Sequence, residues 1–568
     1  MSAAGTQAPA AGRRRRIAVI GAGPVGLVAV KELKEKGYDV TGFEKRPAAG
    51  GVFTDTYSNL QLTSSSLLTS YGSFMGGEVE RPVLWRCGEY LSYLAEYAER
   101  FDLLRHYRFG TSVRSVRRAP EGGWRVRAQA DGAAEDEAAF DNVVICCGSN
   151  MRPRFPAWAD PRGFDGAIIH SGTVRDGAEF AGKRVLVVGV GESGSDIALM
   201  AARAAEESAI STRNGPGYVI PRYYRGMPSD LDTNRCYHSL PRSVVGKPFV
   251  RFKVRIEDAL QNDGADQAVL RKAAEINRAR GVSPFHRFGT KSTAFIEAMV
   301  YHGASYRPEV TELRRDGVVF ADGTEFRCDV IVCCTGFAPE FAFLEEHEPS
   351  LARYAANARA LYKRMLAPEA GTDIAWIGYV RPGVGSVPPC AEMQARHLAQ
   401  LLSGERSLPP RDEMLRDIQM QAELDLKQFA GDAERVATLT DYFRFMETMG
   451  EAIGCRPSLP RLMVREPRVA LKVLLGPLCA AQYRLQGPGA DPEGARAALL
   501  RAPMMPWPVL AYEMMLLFTC WAAGLNREPW RPRGRLARQG GAEGARPLRN
   551  SAARVWLRIR STLSGAGG

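Results

Sequence analysis

Two short apolar runs, Ile17–Ile20 and Val185–Val188, each stop on a glycine and lead into a stretch of helix-forming residues. A near-continuous apolar run of this length is the mark of a strand covered on both faces, as in a parallel sheet. The first run predicts a strand, the turn Gly21-Ala22-Gly23-Pro24-Val25-Gly26, a helix over about Leu27–Lys36 stopped by Gly37, and a second strand Asp39–Phe43 that ends at Glu44. The second predicts a strand from Arg184, the turn Gly189-Val190-Gly191-Glu192-Ser193-Gly194, a helix over about Ser195–Glu206, and a strand Ala209–Arg213. The same strand-turn-helix-strand unit is thus written twice.

Between and after these units the pattern changes. A Ser/Thr-rich stretch, Thr54–Ser73, reads as a polar loop and Glu89–Phe101 as a helix. Residues 107–147 read as short strands closing on Val143–Cys147, and residues 309–336 as a second series with a hairpin turn at Asp322-Gly323 and a closing strand from Asp329. Beyond Pro409 the periodicity is helical. The predicted fold class is α/β, with two Rossmann-like three-layer domains, the second inserted in the first, and a helical C-terminal region. The expected bounds are a disordered basic lead over 1–15, a first domain over 16–155 that resumes over 326–500, an inserted domain over 180–325, and an apolar run with a basic tail over 503–568.

Composition narrows the classes. At 568 residues, 45% hydrophobic and 24% charged, the chain is globular in character and long enough for several cores. Its 11 cysteines include no C-x-x-C, and the adjacent pairs Cys146-Cys147 and Cys333-Cys334 lie in apolar strands whose neighbours point to opposite faces. That fits a reducing, cytoplasmic setting and argues against disulfides or structural zinc. Much of the net charge of +12 sits at the ends, in Arg13–Arg16 and over Arg527–Arg560, which reads as solubility and not as a nucleic-acid surface. The apolar run Val509–Leu525 is interrupted by Glu513 and falls short of the ~20 residues that span a bilayer, leaving buried packing and interfacial attachment both open.

The turns carry the chemistry. In a Gly-x-Gly-x-x-Gly turn the first glycine makes the bend, the second lets the backbone approach a pyrophosphate, and the third lets helix pack on strand. The helix N-terminus then offers unpaired N–H groups to the phosphates. The residue ending the second strand meets the adenine ribose. In the first unit it is Glu44, suited to a free 2′-hydroxyl as in FAD or NAD; in the second, Ser211, Thr212 and Arg213 suit the 2′-phosphate of NADPH. There is no G-x-S-x-G, no H-E-x-x-H and no Gly-Lys-Ser/Thr loop, so the chemistry is expected to be carried on cofactors.

Further stretches, in order, resemble the flavin-containing monooxygenases, a branch of the class B flavoprotein monooxygenases: Gly50-Gly51-Val52-Phe53, Phe164-x-Gly166-x-x-x-His170, Thr335-Gly336-Phe337, Ile377-Gly378-Tyr379-Val380, Thr440-Asp441-Tyr442, and Tyr483 through Gly489. The likeness runs from about Arg16 to Leu500. It implies an FAD- and NADPH-dependent enzyme of the dimethylaniline-monooxygenase kind. In that mechanism NADPH reduces FAD, O₂ adds to give a C4a-(hydro)peroxide, and a soft nucleophile takes one oxygen. N-oxygenation of an amine or amino compound, to a hydroxylamine or nitro group, or S-oxygenation is the activity expected. The cofactor residues it implies are Gly21, Gly23, Pro24, Gly26, Glu44, Gly51, Val52 and Phe53 for FAD, and Gly189, Gly191, Ser193, Gly194, Thr212, Arg213, Thr335 and Gly336 for NADPH and the adjoining strand.

The chain departs from the family at two places. The family's flavin-side Tyr and Asn, six residues apart, become Tyr57 and Thr63, with Asn59 as the alternative counterpart. The fingerprint continues with Val174 and Arg175 where the family has an aromatic residue and Lys and ketone-oxygenating members carry Trp. Baeyer–Villiger oxygenation, or a non-oxygenating NADPH oxidase or redox sensor, are the rival readings. The expected partners are a small-molecule substrate and O₂, with no metal, and with peripheral membrane contact and a homodimer left open.

Overall fold

The computed structural model describes residues 14–77, 79–224, 226–241, 267–280 and 289–523. In chain order the first unit comprises β1 (Arg16–Ile20), α1 (Pro24–Glu35), β2 (Asp39–Phe43), α2 (Cys87–Arg100), β3 (Tyr107–Arg108), β4 (Thr111–Arg118), β5 (Trp124–Ala130), β6 (Glu135–Phe140) and β7 (Asn142–Ile145). The second comprises β8 (Ala167–His170), β9 (Arg184–Val188), α3 (Glu192–Ala204), β10 (Glu207–Ser211), α4 (Ala294–His302), β11 (Ser305–Arg307), β12 (Val310–Arg314), β13 (Gly317–Phe320), β14 (Glu325–Arg327) and β15 (Val330–Cys333). The chain then returns to the first unit with β16 (Ile374–Trp376), α5 (Val387–Leu402) and α6 (Tyr442–Ile453), and the described part ends in α7 (Trp507–Ala522).

The two sheets are built alike. The first runs β16-β7-β1-β2-β3 and the second β8-β15-β9-β10-β11, all parallel, and each has a three-stranded antiparallel sheet, β4-β5-β6 or β12-β13-β14, placed before its closing strand. Parallel strands need covered faces, and alternation supplies them. On β9, Val185 and Val187 enter a core with Ile197 and Phe295, while Leu186 enters the opposite core with Phe320 and Phe326. In the first unit α1 and α5 pack together over β1 and β7, whose residues Ile17, Val19, Val143 and Val144 are all fully buried.

The inserted unit is wider than 180–325. Both β8 and β15 belong to its sheet, paired with each other and, through β15, with β9, so residues from Asp329 to Cys333 belong to the second unit and not to the resumed first one. Apolar patterning shows that Val330–Cys333 is a covered strand but carries no mark of which of two equivalent sheets it joins. The two chain crossings run side by side, Arg152–Pro153 antiparallel to Phe337–Ala338.

The apolar run near the C-terminus is helix α7, and its glutamate is fully buried: Asn234 Nδ2 donates to Glu513 Oε2 at 2.8 Å. Among the described residues no helix is long and apolar enough to cross a membrane. The basic lead over 1–13 and the tail over 524–568 lie outside the described residues.

Candidate active site

Each glycine turn sits at the carboxyl end of the central strand of its parallel sheet, β1 or β9, where the fold leaves a crevice for a ligand. The three glycines of a turn are required for different reasons. Gly21 and Gly189 have φ of +110° and +102°, and a Cβ on either would lie 2.7 Å from the carbonyl oxygen of Cys146 or Cys334. These oxygens belong to the residues that follow β7 and β15. A Cβ on Gly26 would meet Gly21 O at 1.8 Å, and one on Gly194 would meet Gly189 O at 2.0 Å, so the third glycine is fixed by helix-on-strand contact. The middle glycines differ. Gly23 and Gly191 have ordinary extended φ of −70° and −74°; a Cβ on Gly23 would only touch Gly51 Cα at 3.5 Å, and one on Gly191 would meet nothing within 4 Å. Nothing in the protein demands glycine at 191. A pyrophosphate laid across the start of α3 would, and the open space there fits one.

The first site gathers its expected residues. Pro24 begins α1 at the position where a missing N–H costs nothing, and Gly50 N–H donates to Ala22 O at 2.9 Å, bringing Gly51 against Gly23. Val52 is exposed, and Phe53 stands edge-on to Tyr90 with ring centroids 4.9 Å apart. Glu44 is buried just beyond β2. Its Oε2 accepts from Ala22 N–H at 2.7 Å and its Oε1 from Arg46 N–H at 2.9 Å. Each carboxylate oxygen keeps a further lone pair for a ribose hydroxyl.

In the second site Thr212 and Arg213 follow β10 directly, Thr212 half-buried and Arg213 exposed. The Tyr306 hydroxyl lies beside Thr212, and burial raises the pKa of that phenol. Arg280 approaches the same place: a Cβ on Gly215 would stand 2.9 Å from its Nε. Spacing from the glycine turn could not reveal Arg280, which arrives at the end of a distant helix, Gln267–Ala279. Thr335 and Gly336 lie at the crossing between units. The Thr335 hydroxyl donates to Arg154 O, and Gly336 has φ +81°.

The segment between the units holds both departures from the family pattern, and the structure separates them. Val174 is fully buried in the core of the second unit with Phe180, Val185 and Ile197. It is a packing residue, which explains a small aliphatic side chain there. Arg175 ties this segment to the first unit through Asp55, and Ser58 N–H donates to Arg175 O at 2.8 Å. His170 is also structural. Its Nδ1 accepts from Gly172 N–H at 3.1 Å, so Nε2 carries the proton and donates to Gly336 O at 3.0 Å; burial lowers its pKa.

Asn59 is exposed on a turn that closes with Leu60 N–H donating to Tyr57 O at 3.2 Å. Thr63 is half-buried and makes no side-chain hydrogen bond among the described residues. Its neighbours are fixed: Ser64 Oγ lies 2.9 Å from Thr69 Oγ1, and Ser65 N–H donates to Asp230 Oδ2 at 2.6 Å.

Sequence reading missed a buried network that joins the units. Tyr57 donates to Asp196 Oδ2 at 3.2 Å, Arg222 Nη2 donates to both oxygens of Asp196 at 2.8 Å, and Ser292 donates to Oδ1 at 3.1 Å. Burial and the Asp196 carboxylate drive the Tyr57 pKa well up, so the phenol stays a donor. The one available signal was Asp196 itself, a carboxylate directly before the apolar run Ile197–Ala202 of the helix.

The flavin-binding monooxygenase-like family model matches residues 14–505. The chain belongs to this family. It is 34% identical over 519 residues to a 4-hydroxybenzoate brominase (decarboxylating) of Pseudoalteromonas luteoviolacea strain 2ta16, covering 88% of this chain and 96% of the relative. It is 31% identical over 507 residues to flavin-containing monooxygenase 2 of Homo sapiens, covering 85% and 91%. A solved steroid monooxygenase, oxidised and bound to NADP, has the same fold, with a TM-score of 0.53, 20% identity, and coverage of 77% of this chain and 96% of that one. The chain is therefore a flavin-binding protein of this family, and the two-Rossmann α/β architecture is the family's.

Proposed function

We propose that this enzyme uses NADPH to place one atom of O₂ on a soft nucleophile, an amine nitrogen or a sulfide sulfur, the second atom leaving as water. Bound FAD and NADPH supply the electrons and the oxygen-transfer chemistry. The chain's own residues have the tasks of binding, orienting and excluding water. The Gly21–Gly26 turn with Glu44 would hold FAD, and the Gly189–Gly194 turn with Thr212 and Arg213 would hold NADPH. Thr63, with a hydroxyl free to donate, would face the site of oxygen transfer in place of the family's Asn. A hydroxyl offers one donor where an amide offers two and an acceptor, so the hydrogen bonding available there is reduced.

The observation that carries this reading is the Tyr57–Asp196–Arg222 network together with the free Thr63. The segment bearing Thr63 is clamped to the helix of the NADPH turn, which keeps both cofactor sites and the transfer site in one fixed frame.

A second reading is favoured by the 34% identity to a brominase. A halide ion is a soft nucleophile of the same kind, and the oxidised halogen would then substitute an electron-rich ring. Incubation with NADPH and ¹⁸O₂ against amines, sulfides, ketones, and bromide with a phenol separates the readings by mass spectrometry. An N- or S-oxide carrying one ¹⁸O is expected under the first and a ring-brominated phenol under the second. An ester or lactone from the ketone alone would overturn both.

A further inference from the structure

Lys291 and Asp230 are buried charges at the junction of the units, 6% and 5% exposed. Both are held in place. Thr290 Oγ1 donates to Val190 O at 3.3 Å and Ser292 to Asp196 Oδ1 at 3.1 Å, so the residues on each side of Lys291 are tied to the second glycine turn and its helix. Asp230 accepts Ser65 N–H at 2.6 Å, which ties it to the segment that follows Thr63. Yet each keeps a polar atom without a partner. Asp230 Oδ1 is buried without a hydrogen bond, and Lys291 has no hydrogen bond or ion pair among the described residues. Each feels the other's charge but they do not pair, and the nearby Glu192 is shared with Arg381 at 3.6 Å.

A buried carboxylate oxygen without a partner, and a lysine enclosed in the protein with no carboxylate in contact, are both unfavourable; burial lowers the Lys291 pKa and raises that of Asp230. A ligand that offers an anion to one and an O–H or N–H to the other removes both penalties at once. We propose that Lys291 and Asp230 are the recognition pair for a substrate bearing a carboxylate and, apart from it, a hydrogen-bond donor such as a phenol or amino group. Lys291 takes the carboxylate and Asp230 Oδ1 accepts from the donor. Asp230 lies beside Ser65 and Lys291 beside the second glycine turn, so a ligand that bridges them is held where the two cofactor sites meet. The inference deepens the oxygen-transfer reading and rests on it.

The test is calorimetric binding to FAD-loaded enzyme with NADP⁺ present, without turnover. The probes are 4-hydroxybenzoate and the α-amino acid phenylalanine, each against its methyl ester. At least one acid is expected to bind about tenfold or more tighter than its ester, the worth of one charge-assisted hydrogen bond. Lys291→Met should collapse that preference to less than about twofold, and Lys291→Arg, which keeps the charge, should retain most of it. Equal binding of acid and ester by the wild type overturns the proposal. So does a Lys291→Met variant that keeps the acid preference and loses NADP⁺ instead, which would assign the lysine to the cofactor. Failure of oxygen transfer itself is read separately, as hydrogen peroxide released without product.

Discussion

Gly191→Ala is expected to leave a folded, FAD-loaded protein whose flavin NADPH reduces at least about a hundredfold less efficiently. The backbone at 191 is ordinary, with φ −74° and ψ −166°, and a Cβ there meets no protein atom within 4 Å, so the native fold accepts alanine. At the N-cap of α3 alanine costs about 0.5–1 kcal/mol of stability, which does not unfold a domain. The methyl group instead projects into the space at the helix N-terminus that the NADPH pyrophosphate would occupy. Losing one or two charge-assisted backbone contacts of about 1.5–3 kcal/mol each gives the expected factor. Gly194→Ala is the contrast, since its Cβ would lie 2.0 Å from Gly189 O and the unit itself should fail. Rapid-mixing reduction under anaerobic conditions reads the first, and thermal unfolding the second. A Gly191→Ala enzyme that NADPH reduces at the wild-type rate would place the dinucleotide elsewhere.

Arg213→Ala should lower kcat/KM for NADPH by about tenfold to a hundredfold, with little change for NADH. Arg213 is exposed at the end of β10, so its charge has no structural duty, and beside it Thr212 and Tyr306 offer hydroxyls to the same group. A guanidinium there recognises the 2′-phosphate that distinguishes the two cofactors. Steady-state oxidation of both nicotinamides measures the switch. Equal use of NADPH and NADH by the wild type would contradict the assignment, and the nearby Arg280 is the next cation to examine in that case.

Local patterns made the two βαβ units, their glycine turns and the residues Glu44 and Arg213 legible, because strand, turn and helix are adjacent in the chain and their periods differ. Sheet membership was not. Val330–Cys333 reads as a covered strand in either sheet, and only its pairing with β9 decides. Val174 shows a second limit. Its spacing from His170 located it beside the cofactor segment, but spacing does not say which way a side chain points, and it points into the core. Lys291 and Asp230 were invisible for a third reason: they stand in unrelated stretches, and what marks them is enclosure at one junction, with Asp230 Oδ1 left unpaired, a property of the packed molecule alone.

The central claim, that the enzyme transfers oxygen and does not merely pass electrons to it, is tested most directly by mixing NADPH-reduced enzyme with O₂ in a stopped-flow spectrometer. The account predicts a transient flavin absorbance distinct from both the reduced and oxidised forms, whose decay is accelerated by a substrate and yields oxygenated product in proportion to NADPH consumed. Direct return to oxidised flavin, with one hydrogen peroxide per NADPH whatever substrate is present, would contradict it.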